Sequence, residues 1–173
     1  MRFSSVIFGA FALLTTSVVA TTLPDFSNCT SEANQCDKDA KSCTNAASCY
    51  PILVIDIKAI TACIQAETAI VANIDVQLDA DVQAKIFADL QALVEAQITA
   101  CVDLILDASI IILVDLQAQV QAALKALLSA YATLFADLEV CLGLEAKLIA
   151  ALWVTLQAEL NLCINAYALL KIL

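Results

Sequence analysis

From Ile70 to Ile172 every even-numbered residue is Ala, Val, Leu or Ile, and every Asp, Glu, Lys, Gln, Asn, Ser and Thr in that stretch is odd-numbered. Cys101, Cys141, Cys163, Phe87, Phe135, Trp153, Tyr131 and Tyr167 are odd as well. At roughly even odds per position, about fifty consecutive successes are a signal and not chance. A period of two is the signature of a strand with one aliphatic face. The residue types contradict it: Ala and Leu dominate the even positions, Gln, Glu, Asp and Lys crowd the odd ones, and the stretch holds one glycine, Gly143, and no proline. These are helix formers, and without turn chemistry a sheet of several strands cannot be folded.

Helical stripes run through the same residues. Leu113, Leu116, Val120, Leu124, Leu127, Tyr131, Leu134, Leu138 and Cys141 keep three-four spacing, as do Ile149, Leu152, Leu156, Leu160, Cys163, Tyr167 and Leu170. The pattern predicts an all-α, disulfide-stapled bundle of about five amphipathic helices, near 28–49, 52–72, 79–106, 109–141 and 144–171. The breaks fall at Pro51, between Asn73 and Asp79, at Asp107-Ala108-Ser109 and at Gly143. Because alternate residues of a helix step by about 200°, the even positions place aliphatic side chains on opposite sides of each helix. A faint echo, Ile60-Thr61-Ala62-Cys63 and Ile98-Thr99-Ala100-Cys101, suggests a duplicated unit of about forty residues.

The front of the chain is built differently. Met1 and Arg2 precede an apolar stretch from Phe3 to Ala20 that ends Ser17-Val18-Val19-Ala20, the layout of a cleavable secretory signal peptide over 1–20. A polar, cysteine-rich helical segment over 21–51 follows, then an Ala/Leu-rich bundle over 52–173. In the polar segment Cys29, Ala33, Cys36, Ala40, Cys43, Ala47 and Tyr50 form a four-three seam of small residues. Ser27 or Asn28 is placed to cap its start and Pro51 to end it.

All eight cysteines, Cys29, Cys36, Cys43, Cys49, Cys63, Cys101, Cys141 and Cys163, follow the signal, so four disulfides are expected in an oxidising compartment. Cys29, Cys36 and Cys43 lie seven apart on one helix, about 10 Å between neighbours, and cannot pair with each other. Four cysteines in each half suggest staples between the polar segment and the later helices. The pairing itself is not fixed by sequence. Asn28-Cys29-Thr30 is the one glycosylation sequon, making Asn28 a candidate acceptor.

Composition narrows the chemistry. The chain of 173 residues is 62% hydrophobic with a net charge of −10 and no histidine. That excludes imidazole catalysis and ligation, and the acidic balance argues against nucleic acid. No Cys-x-x-Cys pair exists, so neither a metal site nor a cofactor is expected. Asp75, Asp79 and Asp81 lack the glycine and terminal glutamate of a calcium loop. Asp103, Asp107, Asp137 and Glu139 look like a solvated face, not an acid/base pair, so an enzyme is not expected. Trp153, Phe87, Phe135, Tyr131 and Tyr167 suit either a core or the lining of a lipid cavity. After the signal no run of eighteen uncharged apolar residues occurs, which fits a secreted chain without a membrane span.

Helices with aliphatic residues on their outer faces should adsorb to interfaces, lipid or a cell wall, and self-associate. Were the chain extended at an interface, almost every residue after Ile70 would sort aliphatic down and polar up, so adsorption could convert helix to sheet. In its polar front and apolar rear the chain resembles the secreted surface-active wall and matrix proteins of mushroom-forming fungi. That resemblance implies a role in coating aerial hyphae or walls. Hydrophobins share the count of eight cysteines but carry adjacent Cys-Cys pairs, which are missing here. The alternative expectation is a secreted helical carrier enclosing a fatty acid or sterol.

Overall fold

The computed structural model describes residues 22–74, 78–110, 114–142 and 146–169, and among these it is helical with no strand. Five helices follow in order: α1 Ser27–Lys41, α2 Ala46–Val71, α3 Ala80–Ile110, α4 Val114–Cys141 and α5 Ala146–Leu169. The all-α bundle expected from the helix-forming composition is therefore what the chain adopts. The candidate leader over 1–20 lies outside the described residues.

Successive helices run antiparallel, and the packing neighbours are α1–α2, α2–α4, α4–α5, α5–α3 and α3–α1. The helices thus close a ring of two layers, with parallel α1, α3 and α5 facing parallel α2 and α4. Cross-links fix the register. Lys41 at the end of α1 reaches Asp103 on α3 at 3.5 Å, and the Tyr167 hydroxyl of α5 donates to the Leu104 carbonyl of α3 at 3.0 Å. Gln121 of α4 donates to the Ile164 carbonyl of α5. The end that gathers the C-termini of α1, α3 and α5 and the N-termini of α2 and α4 is called the upper end below.

The small-residue seam of α1 works as its spacing implies: Cys29, Ala33, Cys36 and Ala40 are all buried, letting α1 lie close to its neighbours. The boundary after it differs from expectation. α1 ends at Lys41, and α2 begins at Ala46 and runs through Pro51. Asn45 makes the difference, because its side-chain oxygen accepts from the Ala47 N–H at 3.0 Å and starts a new helix five residues before the proline. Pro51 then costs α2 a single early hydrogen bond. At the start of α1 neither Ser27 nor Asn28 caps. Phe26 holds the cap position, and the carboxylate of Asp25 takes the Ser27 N–H at 3.0 Å.

Inside, large aliphatics from every helix except α1 meet, among them Leu53, Ile57, Ile60, Leu90, Leu93, Leu104, Leu124, Leu134, Leu156 and Leu160. Each contributes on the order of 1.5–3 kcal/mol by leaving water. α2 and α5 are long and apolar enough to cross a membrane by length and composition, and both supply core residues to this bundle.

Candidate functional site

The period of two has a consequence inside the bundle. A helix that obeys it must turn some odd, polar positions inward and some even, aliphatic positions outward. Gln83, Gln97, Asp107 and Gln117, all odd, are buried. Among the described residues after Ile70 the large hydrophobics left exposed are Val102, Leu106, Val140, Leu148, Val154 and Leu162, all even.

Three of the buried polar residues join Tyr50, Tyr131, Tyr167, Cys36, Cys101 and Cys163 in a column along the bundle. At the upper end, Gln117 of α4 hydrogen-bonds the Tyr50 hydroxyl of α2, and the Tyr50 ring meets Tyr167 of α5 edge-on at 6.0 Å. Asp107 of α3 is close enough to act on both phenols. Its own carboxyl is pushed up to about 6, first by burial and then by Asp103. Next come three buried thiols, Cys36 of α1, Cys101 of α3 and Cys163 of α5, with Cys101 and Cys163 hydrogen-bonded to each other. That bond, with burial, holds the Cys163 thiol far above its ordinary value, and burial does the same for Cys36. Both are therefore held as thiols. Below them Gln97 spans the layers: its Nε2 donates to Cys101 Sγ at 3.7 Å, and its Oε1 accepts from the Tyr131 hydroxyl of α4 at 3.4 Å. Burial keeps Tyr131 protonated, so it stays a donor.

A second group of charges sits where α1 meets α2 and α3. Lys41 pairs with Asp37 at 2.6 Å and reaches Asp103. Burial pushes Asp37 up, but the hydrogen bond from Lys41 outweighs it and the carboxyl ends below its ordinary range. Asp56 has no such cation. Burial and the facing Asp39 push it up to about 6.

Two clefts open on the outside. Between α4 and α5, Phe135, Trp153, Ile149 and Ala132 surround about 120 Å³, with the Phe135 and Trp153 rings 5.3 Å apart. Along the α2–α4 seam, openings of about 350 and 390 Å³ share Gln65 and Ala126, with Lys58 at one end and Thr133 at the other. Small-molecule sites typically need about 300–1,000 Å³. The aromatic cleft is therefore too small for a long acyl chain as it stands, and the seam is roomy but shallow and half polar.

The residues singled out by sequence distribute as follows. Cys29–Cys63 ties α1 to α2 with Cα atoms 5.5 Å apart, the staple between halves that was expected. Cys43–Cys49 instead closes the short turn between α1 and α2, so two cysteines of the polar segment are spent on each other. Two disulfides form among the described residues where four in the chain were expected, and Cys36, Cys101 and Cys163 remain thiols. The Cys141 side chain is outside the described part.

Asn28 is exposed in the first turn of α1, and the Thr30 hydroxyl of its sequon donates to the Phe26 carbonyl. Asp79 and Asp81 sit exposed at the start of α3, while Asp75 is outside the described residues. No group of three or more metal-ligating side chains assembles among the described residues. Asp103 and Asp107 lie at the upper end, near the C-terminus of α3, whereas Asp137 and Glu139 lie near the C-terminus of α4 at the other end. Phe135, Trp153 and Tyr131 cluster at the lower α4–α5 contact, Phe87 packs partly buried against the core, and Tyr167 joins Tyr50. Sequence reading does not single out Gln97, Gln117 and Tyr50 as parts of one site. Laying the odd-only rule for polar residues over the inward stripe of each helix marks the two glutamines.

No family model matches the chain, and no curated protein sequence does. Among solved structures the chain is similar to ligand binding domain 1 of the MP1 protein of Penicillium marneffei, determined in complex with arachidonic acids. The TM-score is 0.72 at 17% identity, over 81% of this chain and 91% of that domain. The likeness extends over about four fifths of the chain and shows a shared fold.

Proposed function

We propose that this protein is a secreted carrier of a lipid, held in its five-helix bundle. The reading is carried by the fold, which covers 91% of a domain of another protein that holds arachidonic acid. The physical arrangement supports it. Two layers of helices meet through aliphatic side chains, and such contacts can be exchanged for an acyl chain at little net cost in apolar burial. The 120 Å³ aromatic cleft is below the size of a C20 chain, so loading requires the α4–α5 or α2–α4 seams to widen. A binding role and not an enzymatic one fits a chain without histidine in which burial holds the Cys36 and Cys163 thiols and the Tyr131 phenol protonated.

The test is organic extraction of the purified mature protein with mass spectrometry, together with titration by arachidonate and oleate. Trp153 is the only tryptophan and sits in the aromatic cleft, so its emission reports widening there. Stoichiometric lipid in the extract, or saturable binding at micromolar concentration or tighter, is the expected result. An empty extract and no saturable binding would sink the reading.

A second reading rests on the exposed aliphatics. Val140 is 85% exposed and Val154 and Ile55 are each 65% exposed, more apolar surface than folding requires. We propose adsorption at a wall or other hydrophobic interface as a companion property, checked by the surface tension of the purified protein.

A further inference from the structure

Within the column of buried polar residues, one carboxyl has no answer in the fold. The Asp107 residue is only 7% exposed, and its Oδ2 has no hydrogen-bond partner. Among the described residues no cation compensates it. Lys41, at the same end, is taken by Asp37 and Asp103, and the charge that bears on Asp107 is that of Asp103, four residues earlier on α3. The phenols nearby are Tyr50 of α2 and Tyr167 of α5, and the latter spends its proton on the Leu104 carbonyl. A buried carboxyl oxygen with neither a donor nor a cation costs on the order of 1–3 kcal/mol or more, so a group that donates to it has something to gain. In the turns that lead down from the upper end, Leu53 and Ile57 of α2, Leu104 of α3, and Val120 and Leu124 of α4 are fully buried. A polar acceptor at one end of an apolar interior is the layout for a molecule with one polar end.

Resting on the lipid-carrier reading, we infer that this upper end takes the head of an uncharged, hydroxyl-bearing lipid, a long-chain alcohol or a sterol, whose hydroxyl donates to Asp107 Oδ2 while its apolar body lies between the two helix layers. A free carboxylate is the wrong head for this place. It would bring a second anion against Asp107 and Asp103, with Lys41 already engaged by Asp37 and Asp103, and it has no proton to donate.

Three probes sharing one C18 chain test this on the full mature protein at pH 7.5: oleyl alcohol, its methyl ether and oleate. The alcohol should bind at least about tenfold more tightly than either of the others, the size of one well-placed buried hydrogen bond. Asp107→Asn, whose amide can donate to a carboxylate, should narrow the alcohol-to-oleate ratio to within about twofold, with an unchanged helical circular dichroism spectrum. The wild-type ranking decides the matter even if that variant does not fold. Oleate or the ether binding as tightly as the alcohol overturns the head-group assignment and leaves the carrier reading standing. Failure of all three probes to bind overturns the assignment, and an empty organic extract alongside it removes the carrier reading as well.

Discussion

Asp56 and Asp107 bind their protons more tightly in the folded chain than in an unfolded one, each raised to about 6 mainly by burial. The sign follows from linkage. A carboxyl whose folded value is raised contributes stability in full below its unfolded value near 4, and loses it as pH climbs through 6. Asp37, held low by Lys41, works the opposite way and loses its contribution only in stronger acid. A rise from near 4 to about 6 is worth about 2.7 kcal/mol per group at most, and solvent screening at partly exposed Asp56 reduces that, so about 1–3 kcal/mol for the pair is expected. Thermal unfolding should therefore give a midpoint several degrees higher at pH 4.5 than at pH 7.5. Asp56→Asn and Asp107→Asn should each flatten that difference, and a midpoint that rises with pH would contradict it. None of this is legible from residue identity alone. In the sequence Asp107 stands with Asp103, Asp137 and Glu139 as one more acidic residue, and only the ring of helices separates the two at the upper end from the two near the other.

Among the elements, the sequence carries existence and type well and boundaries less well. Five helices are legible because helix formers run unbroken where strands would need turns. The α1–α2 junction is misplaced when Pro51 is weighed as a stop. Proline within the first turns of a helix sacrifices little, whereas Asn45 supplies a cap and Cys43–Cys49 closes the turn that the cap begins. The two disulfides then have unequal work. Cys43–Cys49 closes six residues of a turn, while Cys29–Cys63 spans 34 residues and holds α1, whose inward face is mostly cysteine and alanine, against α2. The paired change Cys29→Ala with Cys63→Ala should cost about 3 kcal/mol and lower the unfolding midpoint by roughly 6–12 °C. Hydrogen exchange should show α1 opening before α3 and α4 in that variant. Equal protection of all the helices would mean that α1 is held by its packing without the staple.

At the scale of the whole molecule, the alternation and the fold pull against each other, and the structure shows the terms of the compromise. Helical geometry wins the backbone, so the two-residue period is converted into two irregularities, buried polar groups along the interior and aliphatic residues in water. The first irregularity is what a carrier needs, a polar mark inside an apolar bundle. The second is what an interface-active protein needs. The two can be separated by breaking the alternation only on the outside. Val140→Gln and Val154→Gln replace even-numbered side chains that are 85% and 65% exposed, so each should shift stability by no more than about 0.5 kcal/mol. Neither residue lines the described clefts or the upper-end column, so lipid affinity should be unchanged. Adsorption should fall, read as a smaller drop in surface tension and less protein retained on hydrophobic beads. Circular dichroism on the beads adds the conformational half of the test. If the alternation serves an extended, adsorbed state, wild-type protein gains sheet signal there and the double variant gains less. Identical tension and identical helical spectra for the two proteins would assign the outer aliphatics no interfacial role, and leave the alternation to be explained by the interior alone.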